Sequence, residues 1–142
     1  MLGKQTHRMQ CGMMYNDLDP ELMRARQKTM ALTTAYAQSY SQSPAKREAL
    51  LAKILGKIGK NVHFEPTFRC EFGKNISLGD NVWIGAGSAY QSGGTIGDNT
   101  VIGSGSVVTH DISSNVVAYG DPCRVARKIT AADKTGYDPT KI

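Results

Sequence analysis

Between Leu78 and Val108 the sequence carries an apolar residue at every sixth position. These positions are Leu78, Ile84, Tyr90, Ile96, Ile102 and Val108. A period of six fits neither an α-helix nor an ordinary strand, and it is typical of the hexapeptide repeat of a parallel β-helix. Three hexads form one triangular coil, so the segments LGDNVWIGAGS and IGDNTVIGSGS, which start eighteen residues apart, are predicted to lie one above the other.

The other positions of the hexads agree with this prediction. The residue after the apolar one is glycine in four of the six hexads, and we expect a corner there at which a side chain would clash or φ would be strained. The fifth position is mostly small or β-branched, which suits the narrow interior beside a corner. The hexad at Tyr90 departs from the pattern, with Gln91 and Gly94 at these two positions, and predicts a bulged coil or a weak point. With an irregular lead-in over residues 62–77, about three coils are expected.

The glycine-rich segments IGAGSA and IGSGS are also compatible with a loop that binds a dinucleotide. Neither completes the pattern G-x-G-x-x-G, and neither is followed by an amphipathic helix. The β-helix is therefore the preferred interpretation of these glycines.

The first half of the chain has the period of a helix instead. Asp19 is predicted to cap a helix that begins at Pro20. Apolar or small residues then recur at spacings of three and four, which defines one helix face. The members of this face are Leu22, Ala25, Thr29, Leu32, Tyr36 and Tyr40.

A second helix is predicted after the segment SQSP. Ser43 is its expected cap and Pro44 its first residue, and glycines at 56 and 59 supply the signals for its end. Its apolar face consists of Leu50, Leu51, Ile54 and Leu55. The expected organisation is therefore a helical cap over residues 1–60, a β-helix over 61–130 and a C-terminal tail over 131–142.

Composition restricts the possible functions further. The formal net charge is +5, but no run of basic residues is interleaved with aromatic ones, so no nucleic-acid partner is expected. The three cysteines are far apart and odd in number, which argues against disulfides and against a zinc site, so no metal is expected. Reduced thiols favour a cytoplasmic location. No apolar run has the length of a signal peptide or a membrane span, so no membrane association is expected.

The segments that flank the repeat resemble those of a known family. MYNDLDPEL before the helices, EPTFRCEFGKNISLGDN, NVWIGAG, TIGDNTVIGSGSVVTHDI and NVVAYGDPCRVARKI are similar to segments of the maltose and galactoside O-acetyltransferases, which are hexapeptide-repeat acyltransferases. The resemblance covers residues 14–129. It implies a left-handed β-helix with an N-terminal helical cap, a homotrimer, and acetyl-CoA as co-substrate, bound between neighbouring prisms.

The resemblance also implies site residues by motif position. The positions that match the family's contacts with the cofactor are Ala86, Ser104, Thr109, His110 and Arg127. Arg127 would pair with a phosphate of CoA, for which its fork of donors is suited. Asp17 and Glu71 match positions that line the family's acceptor site. The structural alternatives are corner packing for Ala86 and Ser104 and simple solvation for the two carboxylates.

One departure from the family concerns the catalytic residue. The family's general base is a histidine followed by proline, in a segment before NVWIG that this chain lacks, because ISLGDNVWIG runs from one repeat straight into the next. The three histidines of the chain, at positions 7, 63 and 110, are followed by arginine, phenylalanine and aspartate. His7 is expected in the N-terminal tail, His63 on the outer face of the first strand and His110 at a corner. The sequence therefore assigns no catalytic residue.

Three hypotheses follow from these observations. The chain is an acetyl-CoA-dependent O-acetyltransferase acting on a sugar hydroxyl, impaired because the segment with the general base is missing. Alternatively it is a non-catalytic trimeric β-helix that binds CoA or serves as an interaction module. A third possibility is a deletion product that forms no stable trimer.

Overall fold

The structure is a computed structural model that describes residues 3–91 and 94–134. It contains a cap of three helices followed by a parallel β-helix of about three coils. The helices are α1 (Lys4–Gln10), α2 (Pro20–Gln38) and α3 (Pro44–Ile54). Short 3₁₀ turns span Gly73–Asn75 and Ala131–Lys134, so the described part of the C-terminal tail is a single turn. The mainly β fold predicted from the hexads is confirmed.

The two longer helices begin where the sequence predicts. Asp19 caps α2, because its carboxylate accepts a hydrogen bond from the backbone N–H of Glu21 at 2.9 Å. The prediction for Ser43 was wrong in one respect, since Ser43 precedes α3 but its side chain accepts no capping hydrogen bond. Tyr40 lies beyond the end of α2 and is half exposed, so it does not continue the buried face.

Helix α1 was not predicted. It places His7 in a helix, where the sequence predicted only an N-terminal tail. None of its seven residues is buried, so the segment has no apolar face that a periodic pattern could reveal.

The strands of the β-helix form three flat faces. The first face contains β1 (His63–Phe64), β4 (Trp83–Ile84), β7 (Val101–Ile102), β9 (Val116–Tyr119) and β10 (Arg124–Lys128). The second face contains β2 (Arg69–Cys70), β5 (Ala89–Tyr90) and β8 (Val107–Val108). The third face contains β3 (Ile76–Leu78) and β6 (Gly94–Ile96). All pairs are parallel except β9 with β10, which closes the first face in an antiparallel hairpin.

The predicted apolar column fills the interior of this prism. All six first positions of the hexads are buried, and Ile84 and Ile102 are 0% exposed. The hexad at Tyr90 keeps its strands in register, since Tyr90 pairs with Val108 and Gly94 pairs with Ile76. Residues 92 and 93 of that hexad lie outside the described residues.

One corner of the prism is built from stacked asparagines. Asn61, Asn81, Asn99 and Asn115 each have a positive φ between 52° and 61°, a conformation that asparagine tolerates better than most residues. The side-chain amides of the first three each donate to the side-chain oxygen of the next, at 3.0–3.1 Å. Consecutive members are 20, 18 and 16 residues apart, so the coils shorten along the prism, whereas the sequence predicted a constant eighteen.

Close approach of the next coil explains the glycines that follow the apolar positions. A Cβ atom on Gly85 would lie 2.5 Å from the backbone nitrogen of Ser104. A Cβ atom on Gly103 would lie 2.7 Å from Cβ of Tyr119. Neither glycine has a positive φ, so of the two reasons expected from the sequence, steric clash is the one that applies here.

The cap closes the open end of the prism. Tyr36 of α2 is buried, and its hydroxyl donates a hydrogen bond to the carbonyl oxygen of Phe64 on the edge strand β1. Its ring packs edge-on against Phe64 and Phe68, with ring centroids 6.5 Å and 5.5 Å away. The hydrogen bond satisfies a carbonyl at an edge that no further coil covers.

The sequence also led to expectations about cysteines, metal ligands and membrane spans. Cys70 and Cys123 are buried free thiols, and Cys11 is an exposed one. No group of three or more potential metal ligands occurs within residues 3–91 and 94–134. Within the same residues, no helix combines the length and the apolar character that crossing a membrane requires.

Candidate functional site

A cleft of about 480 Å³ lies between α2 and the second face of the prism. It is lined by Tyr15, Arg26, Met30, Arg69, Cys70, Glu71, Phe72, Ala89, Tyr90 and Gln91. Its position follows from the packing of α2 against β2, which leaves an open groove where β5 continues the face.

Arg26 joins the two predicted acceptor residues. Its guanidinium forms an ion pair with Asp17 and lies 3.4 Å from a carboxylate oxygen of Glu71. The Arg26 side chain is only 19% exposed, and its guanidinium carbon is 5.2 Å from the ring centroid of Phe72. Asp17 and Glu71, which are distant in sequence, therefore meet at one edge of the cleft through a third residue.

Sequence reasoning missed Arg26. The available signal was an arginine placed four residues after the buried Leu22, beside the apolar face of α2. A cation in that position is most stable when it has partners, and both partners come from other parts of the chain.

Two further ionisable groups of the cleft, Cys70 and Tyr90, remain neutral near pH 7. Burial raises the pKa of the Cys70 thiol to about 12. Burial also raises the pKa of Tyr90 well above its ordinary value, and among the described residues its hydroxyl has no hydrogen-bond partner. Neither group is available as a base or as an activated nucleophile at neutral pH.

None of the three histidines lines the cleft. His7 is in α1, with the Cys11 sulfur 3.8 Å from its Nε2. His63 lies on the outer face of the first strand, as predicted, where its Nε2 is 2.8 Å from a Glu65 carboxylate oxygen and its ring stacks on Trp83. His110 is exposed at a corner, with Nδ1 2.6 Å from the Thr109 hydroxyl.

Four of the predicted cofactor positions lie at two different corners of the prism. Ala86 and Ser104 are exposed at the corner between the first and second faces, and the carbonyl oxygen of Ala86 accepts a hydrogen bond from Gly105 at 2.8 Å. Thr109 and His110 lie at the corner between the second and third faces. The five-residue step from Ser104 to Thr109 separates the two corners by at most about 16 Å, from a rise of about 3.3 Å per residue.

Arg127 belongs to neither corner. It lies on β10, which extends the first face through pairing with Val117. Its guanidinium makes a two-pronged hydrogen bond to Asp133, with both N···O distances 2.9 Å. This contact, together with a hydrogen bond from the Thr130 backbone, holds the pKa of Asp133 at about 2. Within the described residues, the Arg127 guanidinium, which is expected to bind a phosphate, is therefore already paired with a carboxylate.

Two family models match the chain. The capping motif of maltose acetyltransferases matches residues 8–59, and the hexapeptide repeat of bacterial transferases matches residues 75–110. The first match covers α2 and α3 of the cap, and the second covers most of the regular coils.

Individual proteins are similar over nearly the whole chain. The galactoside O-acetyltransferase of Escherichia coli K12 is 29% identical over 188 aligned positions, covering 93% of both chains. A crystal structure of maltose O-acetyltransferase from Clostridium difficile 630 is 30% identical, with a TM-score of 0.59, covering 90% of this chain and 98% of that one. A galactoside acetyltransferase in complex with coenzyme A is 28% identical, with a TM-score of 0.58 and 96% coverage of both. The chain therefore belongs to the maltose and galactoside O-acetyltransferase family of hexapeptide-repeat acyltransferases.

Proposed function

We propose that this protein binds acetyl-CoA as an O-acetyltransferase of the galactoside and maltose type, and that its transfer of acetyl groups to a sugar hydroxyl is slow. The observation that carries the proposal is the absence of a histidine from the cleft in which the predicted acceptor residues meet. A hydroxyl attacking a thioester must lose its proton, and a positioned general base contributes about 10²–10⁴-fold to such a step. Cys70 and Tyr90 cannot replace it at neutral pH because burial favours their neutral forms.

The alignment lengths support a missing segment. The alignment with the Escherichia coli galactoside O-acetyltransferase spans 188 positions, although this chain has only 142 residues. The relative must therefore contribute residues that have no counterpart here. This agrees with the loss of the segment that carries the general base in the family, while the shortened prism still stacks in register through Asn81 and Asn99.

Acceptor binding is assigned to the edge of the cleft at Arg26. Asp17 and Glu71 each place a carboxylate on this guanidinium and keep further oxygen lone pairs for hydroxyl groups. A polyhydroxylated acceptor such as a sugar offers hydroxyl donors to these carboxylates. These features support the sugar class, and they do not distinguish one sugar from another.

Cofactor binding is assigned to the two corners of the second face. Ala86 and Ser104 on one corner and Thr109 and His110 on the other are separated along the same chain by β8. A pantetheine arm lying between two prisms would contact one corner of each, so the proposal requires a homotrimer or another assembly that juxtaposes these corners. The structure of a relative with coenzyme A supports the choice of ligand.

Arg127 is proposed to bind a CoA phosphate in competition with Asp133. The phosphate must displace the Asp133 carboxylate, which is hydrogen-bonded to both terminal nitrogens of the Arg127 guanidinium. The affinity for CoA is therefore expected to be low. Replacing Asp133 with asparagine should tighten the binding of acetyl-CoA, whereas Arg127→Ala should weaken it and reduce its salt dependence. Arg124→Ala, on the same strand, is the matched control for loss of a surface charge.

Calorimetric titration with acetyl-CoA tests this proposal, with the oligomeric state measured by sedimentation on the same sample. We expect a trimer that binds acetyl-CoA with an affinity lowered by salt. A trimer that gives no heat and retains no ligand at millimolar concentration would refute the assignment of the cofactor site.

A second candidate is a trimeric β-helix that binds CoA without any transfer. The observation in its favour is that all three histidines contact other residues outside the cleft. This candidate predicts the same binding result and no acceptor-dependent release of thiol, so the two functions are separated by turnover and not by affinity.

A further inference from the structure

A second cavity, of about 300 Å³, lies inside the helical cap and is separate from the proposed acceptor edge. It is bounded by residues of α1, α2, α3 and the turn Gly73–Asn75 and opens to the surface. Its apolar lining residues are Met9, Leu22, Ala25, Leu32, Ile54 and Phe72. It shares only Phe72 with the cleft described above.

The buried part of this cavity has no unpartnered polar side-chain atom among the described residues. Thr29, which is buried in the wall, donates its hydroxyl to the carbonyl oxygen of Ala25 at 3.0 Å. Among the described residues, the buried side-chain nitrogens and oxygens without a hydrogen-bond partner belong to Arg26, Arg47 and Tyr90, and none of these three lines the cavity. The part of a ligand that enters must therefore be apolar.

Three lysines from three different elements also line the cavity. Lys28 comes from α2, Lys53 from α3 and Lys74 from the 3₁₀ turn. Lys74 donates to the carbonyl oxygens of Ala52 and Leu55, at 3.1 Å and 2.8 Å. Lys28 and Lys53 are exposed, and within the part of the chain that the structure describes neither forms an ion pair.

A single carboxylate, Glu21, lines the same cavity, and it already has partners. Its Oε1 accepts hydrogen bonds from the Thr6 hydroxyl at 2.8 Å and from the Gly3 backbone at 3.2 Å. The lysines therefore exceed the acidic groups by three to one in the lining, which favours an anion at the mouth.

We propose that this cavity binds a straight-chain monocarboxylate, with the alkyl chain between the helices and the carboxylate at Lys28 and Lys53. The volume lies at the lower end of the range of about 300–1,000 Å³ for small-molecule sites, which suits a medium-length chain. The site includes none of the residues assigned to acetyl-CoA or to the acceptor carboxylates. A failure of this proposal would therefore leave the proposed function unaffected, and the reverse also holds.

The first test is calorimetric titration of the full chain with butyrate, hexanoate and octanoate. Each methylene group that enters the cavity contributes about 0.8 kcal/mol, which is a factor of about four in Kd. Octanoate is therefore expected to bind about fifteenfold more tightly than hexanoate. An affinity that does not change with chain length would overturn the proposal.

The second test separates the head group from the tail. The double substitution Lys28→Gln with Lys53→Gln should remove the preference for octanoate over octanol, whereas Lys46→Gln, at an exposed lysine of α3 outside the lining, should preserve it. Equal effects of the two sets of substitutions would show that only overall charge matters and would contradict the assignment.

A third test fills the cavity. Ala25→Leu should abolish octanoate binding and leave acetyl-CoA binding unchanged, whereas Ala31→Leu, on the same helix but outside the cavity lining, should alter neither. If octanoate bound only to a dissociated chain and not to the assembled protein, the cavity would belong to contacts between copies of the chain, and the proposal would be wrong.

Discussion

The β-helix and the helical cap are stabilised in different ways. In the prism one set of contacts recurs in each coil, as shown by the asparagines that stack along one corner and by the apolar column inside. In the cap each stabilising contact occurs once, such as the Tyr36 hydroxyl on Phe64 or the Arg26 guanidinium between two carboxylates. Repeated contacts produce a sequence period, whereas single contacts leave no pattern.

The acceptor residues and the lysines of the cap cavity are proposed where the period is interrupted. Glu71 lies in the irregular lead-in to the first coil, and Arg26 and Lys28 lie on the cap. The regular coils carry the proposed cofactor positions Ala86 and Ser104 at exposed corners. In the proposed assignments the prism serves as the scaffold, and the acceptor contacts come from residues outside its regular coils.

The largest effect is expected from a charge in the column of the prism. Ile102→Asp places a carboxylate without a partner at a position that is 0% exposed. The cost is several kcal/mol, a large share of the roughly 5–15 kcal/mol that stabilises a typical domain, so the variant should lose its β-helix. Circular dichroism and urea unfolding measure this.

Val101→Asp provides the control for that substitution. Val101 is the neighbouring residue of the same strand and is partly exposed on the outer side. It should unfold at a urea concentration much closer to that of the wild type. If both variants behaved alike, the inward direction of the hexad positions would not be what stabilises the prism.

A smaller effect is expected at the junction of the cap and the prism. Tyr36→Phe removes the hydrogen bond to the carbonyl oxygen of Phe64 and keeps the packing of the ring. An unsatisfied buried carbonyl costs about 1–3 kcal/mol, which denaturant unfolding can resolve. Tyr40→Phe, at a half-exposed ring, is the control. Equal stabilities of the two variants would contradict the role of Tyr36 in closing the prism.

The smallest effect is expected from one member of the asparagine corner. Asn99→Ala removes two ladder hydrogen bonds and places alanine at a φ of 52°, so we expect a loss of about 1–2 kcal/mol. Asn99→Gly removes the same hydrogen bonds without the backbone strain and should lose less. A glycine variant less stable than the alanine variant would show that φ is not what selects asparagine there.

The sequence predicts the prism better than the cap for a physical reason. Ile84 and Ile102 fill the interior of successive coils. Their spacing therefore reveals that both side chains point inward and that the two coils stack on each other. The shortening of the last coil to sixteen residues leaves no such signal, because it occurs after the final glycine of the repeat, at Gly103. Helix α1 escaped prediction because none of its residues is buried.

The candidate site was only partly predictable. Asp17 and Glu71 were identified from motifs that resemble those of the family, but the residue that joins them, Arg26, is visible only once the cap is folded onto β2. Likewise, the motif that contains Arg127 does not show that Asp133 occupies its guanidinium. Such pairings depend on long-range geometry and on competition between partners, which motif positions do not encode.

The central claim, that the family's architecture persists here while its transfer chemistry is impaired, is tested most directly by acceptor-dependent release of thiol from acetyl-CoA. The measurement uses the assembled protein, a panel that includes galactosides and maltose, and an active full-length relative as the reference. Loss of the general base alone predicts a rate about 10²–10⁴-fold below the reference. A rate equal to that of the relative would contradict the account, and its loss in His63→Ala or His110→Ala would identify the base that had been overlooked.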